Sequence, residues 1–141
     1  MWPPAPAPGM FTALASRVDV SRTSGVLLAG DLSAIALFVL AGELRHDRPL
    51  AAGAGTFAEF AAGWFLAAIV VGAYAADAVA PPRRGALIAA VGWLLGATLG
   101  QLIRLAAGHR FFWSFFLVTL GVGGALLVGW RLAAGALLGE R

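Results

Sequence analysis

Seven polar side chains lie within or at the margins of long apolar runs: Asp31, Glu43, Arg45, His46, Gln101, Arg104 and Arg131. An ionised group in hydrocarbon is costly, so each such residue calls for an opposite charge, a watery path or a task. Two kinds of chemistry fit. An acid such as Asp31, facing Arg104 and Arg131, can serve an ion- or proton-coupled site on a polar path. The same charges can equally pair off and do no more than fix one helix against another. Asp31 with Arg131 is the obvious pair, with Asp77, beside Arg83 and Arg84, as a competitor. For Arg104 the candidate partners are Glu43 and Glu59, and either arginine can instead snorkel to an interface. His46 and His109, with Glu43, Asp47 and Glu59 nearby, hold no recognisable metal-ligand spacing, so neither metal nor haem is expected. No nucleophile–base arrangement, phosphate loop or zinc-protease motif occurs, so no catalytic residue, cofactor or enzymatic activity is expected.

The elements that must position these residues follow from composition. Of 141 residues, 60% are hydrophobic and 12% charged, against about 25% charged in soluble domains. Mean hydropathy is +0.86. Seventeen charged side chains would cover a soluble domain of this size poorly, and with no Cys a disulfide scaffold is excluded. The net charge of +3 comes from ten basic residues, all Arg. They sit at the ends of apolar runs rather than on a solvated basic stripe, so no nucleic-acid partner is expected. The lipid bilayer is the expected partner.

Four runs are long enough to cross about 30 Å of hydrocarbon as helices: about 25–44, 57–80, 85–107 and 111–131, the last with a helical extension to 138. Helices are expected because lipid offers backbone groups no water, and strand-type alternation is absent. The fold class expected is therefore all-α, a four-helix transmembrane bundle forming one domain over 25–138. Residues 1–24 form a Pro-rich leader, expected to be a flexible tail, in which Pro3-Pro4-Ala5-Pro6-Ala7-Pro8 rules out a helix. The leader lacks the basic n-region of a secretory signal, and Met10 offers an alternative start. Arg17, Arg22, Arg83, Arg84, Arg131 and Arg141 fall on one side, Arg45, Arg48, Arg104 and Arg110 on the other. The excess places both termini in the cytoplasm of a multi-pass cell-membrane protein.

Asp31 lies about seven residues into the first span. Its insertion cost of about 2.5–3.5 kcal/mol is offset by ten Leu, Ile, Val and Phe side chains returning roughly 0.3–0.6 each. Asp31, Phe38, Gly42 and Arg45 fall within about 40° of one helical line, a face expected to point inward. Trp113 and Trp130, about 25 Å apart along the fourth span, suit the two interfaces. Small residues recur every fourth position: Gly92-Gly96-Gly100, Ala68-Gly72-Ala76 and Gly121-Ala125-Gly129. Such stripes let helix backbones approach closely, and one left over would serve self-association into a homo-oligomer.

Gly30-Asp31-Leu32, Phe38, Gly42-Glu43-Leu44-Arg45-His46, Pro82-Arg83-Arg84, Trp93, Gln101 with Arg104, Ser114-Phe115 and Trp130-Arg131 together resemble domain-of-unknown-function family 3054. That family consists of small prokaryotic membrane proteins, and the resemblance covers about Gly25 to Ala133. It implies four membrane helices and brings no known substrate or catalytic residue. One departure is Glu59, where the family pattern leads one to expect Pro, which argues against a general Glu59–Arg104 pair. The function expected is a transport or permeation component, for an ion or small molecule, with an Asp/Arg polar face. The alternative is a structural or assembly partner whose charges serve only helix pairing.

Overall fold

The computed structural model describes residues 2–7, 9–15 and 17–139, and every regular element among them is helical. Met1, Pro8 and Ser16 of the leader, and Arg141 of the arginine count, lie outside the described residues. The elements are α1 (Met10–Ala15), α2 (Arg22–Arg45), α3 (Leu50–Val71), α4 (Pro82–Ala106), α5 (Trp113–Val118), a π-helical turn (Thr119–Gly123) and α6 (Gly124–Leu138). Four helices are long and apolar enough to span a membrane: α2, α3, α4 and the continuous run Trp113–Leu138.

Local sequence explains their ends. Ser21 caps α2, its hydroxyl accepting from the Ser24 amide at 3.2 Å. Pro82 opens α4, where its missing N–H is no loss. Gly72 closes α3 in the left-handed region at φ 76°, a conformation glycine adopts without strain. The spans alternate in direction. Arg22, Val71, Pro82 and Leu138 therefore mark one end of the bundle, here called proximal, and Arg45, Leu50, Ala106 and Trp113 the distal end.

The second span differs from expectation. It was expected over 57–80, but α3 begins at Leu50 and stops at Val71. Residues 72–81 form irregular turns in which Ala73, Tyr74, Ala78 and Val79 are buried. Irregular backbone at such a depth is tolerated where protein covers it and satisfies its polar groups. The same Gly72 cap removes Gly72 and Ala76 from the helix, so the Ala68-Gly72-Ala76 stripe does not exist as a helical face. Within the expected tail, α1 forms a short helix. Arg17 donates to the Val70 carbonyl at 2.6 Å and the Asp19 amide to the Tyr74 carbonyl at 2.8 Å, tying the leader to the end of α3.

The two remaining small-residue stripes have opposite fates. Gly92, Gly96 and Gly100 lie against α3, and a Cβ on Gly96 would meet the Trp64 Cα at 3.0 Å, one on Gly100 the Phe60 ring at 2.5 Å. Their absence of side chains lets α3 and α4 touch at backbone level. Gly121, Ala125 and Gly129 face outward, with nothing within 4 Å of a Cβ on either glycine. Trp93 of α4 fills the notch at the π-helical turn, its indole donating to the Thr119 carbonyl at 2.9 Å. A π turn leaves such a carbonyl short of a partner, and the indole supplies one. On the outside, Leu37, Phe65, Leu66, Leu94, Leu117 and Leu132 are exposed. A surface of that kind is stable against hydrocarbon and aggregation-prone in water.

Candidate functional site

Two arginine-centred clusters occupy the interior, joined by an aromatic seam. At the proximal side, Asp31 of α2 and Arg131 of α6 meet across 100 residues of chain. Arg131 Nε donates to Asp31 Oδ1 at 2.9 Å and Nη2 to Oδ2 at 2.7 Å, a two-point grip that only a guanidinium makes. Arg131 Nη1 donates to the Ala73 carbonyl at 2.8 Å, satisfying irregular backbone just beyond α3. Tyr74 donates its hydroxyl to Asp31 Oδ2 at 2.6 Å, and Trp64 donates its indole N–H to the Tyr74 oxygen at 2.9 Å. The guanidinium lies over the Tyr74 ring at 5.3 Å and the Trp64 ring at 6.0 Å. The side chains of Asp31 and Arg131 are 0% and 1% exposed, so the cluster has no route to solvent in this conformation. Burial, and secondarily the Asp31 carboxylate, push the Tyr74 hydroxyl above its ordinary range, which keeps it a donor.

Towards the distal end, Arg104 of α4 donates to Glu59 Oε2 of α3 at 2.7 Å and to the Thr56 hydroxyl at 3.1 Å. His109, beyond α4, places Nε2 3.2 Å from the other Glu59 oxygen. The Glu59–Arg104 pair, which the departure from the family pattern argued against, is thus present in this chain. Glu43, the other candidate for Arg104, sits near Arg48 instead, at 3.5 Å. Asp77 is likewise removed from competition for Arg131, because Arg84 holds it at 2.8 Å. Arg104 stacks over Phe115 at 4.9 Å, and its Nε–H has no partner among the described residues. Gln101, one turn earlier on α4, is 4% exposed, and neither amide atom has a partner among the described residues.

Beside Arg104 a cavity of about 610 Å³ opens at the distal end between α2 and the fourth span. Arg45, His46, Arg48, Arg104, His109 and Arg110 line it, and no carboxylate does. Phe38, Phe112, Phe115, Val118 and Val122 form its apolar wall. The structure therefore divides the expected polar face. Arg104, Arg45 and His46 share the cavity, while Asp31 and Arg131 belong to a separate, sealed network and Glu43 packs behind Arg48. Between the clusters, Trp64, Trp93 and Phe60 pack as tilted rings with centroids 6.1–6.4 Å apart.

Sequence reasoning did not find Tyr74, Trp64, Thr56 or the role of His109. Tyr74 carried a signal: it is the single tyrosine of the chain, set in an apolar stretch, and a buried phenol needs a polar partner. Among the described residues no group of three or more His, Asp or Glu is placed to hold a metal ion.

A family model described as "Protein of unknown function (DUF3054)" matches residues 28–134. No curated protein and no solved structure matches the chain.

Proposed function

The chain belongs to the DUF3054 family, and from that premise we propose a non-enzymatic permeation component of the cell membrane that handles an anionic solute. The observation that carries this reading is the distal cavity lined by four arginines and no carboxylate. Guanidinium groups gathered in a recess with no carboxylate in its lining attract anions and match their oxygens in geometry. The reading places both termini in the cytoplasm, with the cavity opening on the outer side. The Asp31–Arg131 network takes the structural role in it. Its bidentate geometry and lack of exposure suit a lock between α2 and α6 and leave no vacant coordination for a passing ion.

The test is flux in vesicles reconstituted with the full chain. Efflux of radiolabelled inorganic phosphate and transbilayer movement of a fluorescent-tailed phosphatidic acid are measured against protein-free vesicles. At least one rate is expected to rise, and to fall again in an Arg104→Gln/Glu59→Gln variant that removes the pair together. If both rates match those of empty vesicles while the protein is folded, the permeation reading is wrong. The distal pair would then stand as structural too.

A further inference from the structure

We propose that the distal cavity binds an anion carrying a hydrocarbon tail: a phosphate or carboxylate head beside Arg45 and Arg110, with the tail running inward along the apolar wall. This rests on the reading of the cavity as the working site and adds the class of its ligand.

Charge selects an anion. Of the four arginines in the lining, Arg48 is offset by Glu43 and Arg104 by Glu59. The side chains of Arg45 and Arg110 make no ion pair or hydrogen bond with any described residue, so two positive charges remain at the mouth. Asp47, in the adjoining turn, does not line the cavity. Guanidinium groups match phosphate and carboxylate oxygens in geometry as well as charge. Basic pockets between membrane helices bind anionic headgroups at cytoplasmic membrane faces, and the same electrostatics act at either face.

Depth selects a tail. Arg45 ends α2, and Arg110 lies in the connection after α4, so both sit at the distal rim. Phe38 is seven residues back along α2, roughly 10 Å deeper, and Val122 lies roughly 13 Å into the fourth span. The lining thus passes from cationic to apolar along the membrane normal, the order in which an amphiphile presents its parts. A small hydrated anion would use the rim and leave the aromatic wall idle. Room is adequate, since 610 Å³ falls within the roughly 300–1,000 Å³ of small-molecule pockets. Gly42 borders that room, and a Cβ added there would meet nothing within 4 Å, so a larger side chain can be placed at the cavity wall without a clash.

Binding of dodecyl phosphate to the purified full chain, followed by native mass spectrometry and by ligand-dependent thermal shift, tests this. Dodecyltrimethylammonium and inorganic phosphate are the controls. Saturable binding of dodecyl phosphate at least tenfold tighter than either control is expected. The exposed double variant Arg45→Gln/Arg110→Gln should weaken it by roughly 10- to 30-fold, and Gly42→Leu should block it with every charge intact. Nanodiscs of phosphatidylcholine doped with phosphatidylglycerol distinguish the sources. Selective retention of phosphatidylglycerol identifies a bilayer lipid as the ligand; binding of dodecyl phosphate without it identifies a free amphiphile. Equal binding of the cationic detergent, or wild-type binding by both variants, overturns the proposal. Binding without flux leaves this site standing and removes the permeation reading. Phosphate flux without dodecyl phosphate binding does the reverse.

Discussion

The two arginine clusters are built from the same parts and differ in enclosure. Each holds a carboxylate from a neighbouring helix against a guanidinium that stacks on aromatic rings. At Arg131 every visible route to solvent is closed, and the acid accepts from Tyr74 as well as from the arginine. At Arg104 the acid is shared with a half-exposed His109, and the arginine borders a cavity. Enclosure makes loss of one member of the proximal pair costly, since a buried charge left alone has nowhere to go. Openness makes the distal pair less costly to break, since water at the cavity rim can reach it.

The sharpest way to break this contrast is to remove one arginine from each cluster. Arg131→Met strands Asp31 and should cost about 3–5 kcal/mol, seen as loss of folded protein or a collapsed unfolding temperature in detergent. Asp31→Asn/Arg131→Met together should recover much of that. A single variant as stable as wild type would erase the distinction. Arg104→Gln should cost less, about 1.5–3 kcal/mol, because His109 still faces Glu59 and the cavity rim can hydrate it. A loss as large as that at Arg131 would make the two clusters equivalent.

A smaller effect comes from Tyr74, whose hydroxyl is raised from an ordinary value of 10.0 by burial and then by Asp31. The folded chain keeps this proton where the unfolded chain releases it. Its contribution to stability is thus complete below pH 10 and declines as the pH rises further. Because the chain holds one tyrosine, phenolate absorbance reports it alone. No phenolate should appear near pH 10.5 in folded protein, whereas denatured protein titrates normally; a normal titration in the folded state would mean the network is open. Least affected should be Arg84→Ala. Its pair with Asp77 is more than half exposed on both sides, and its loss should change stability by no more than about 0.5–1 kcal/mol in the same unfolding assay.

Much of the frame was legible in the residues. Asp31 and Arg131 were natural partners because an acid and a base at similar depth in lipid have few other choices. Gly92, Gly96 and Gly100 marked a close helix contact for a similar reason, since bulky neighbours left only that face thin. The register of α3 was not legible. Residues 72–80 are still mostly apolar, and composition does not separate a buried turn from a helical one. Gly72 fits the spacing of a packing stripe yet is the helix stop. Glu59 was discounted on a family pattern, although its own charge, opposite Arg104, carried the better signal.

Composition and run length alone determined that the chain makes four helices suited to hydrocarbon, because in lipid each backbone N–H must find its carbonyl within its own segment. Which side chains meet was decided only by the tertiary structure. Contact between distant residues depends on the depth and rotation of each helix, and a helix stop at Gly72 reset both for Tyr74 and for everything that Arg131 touches.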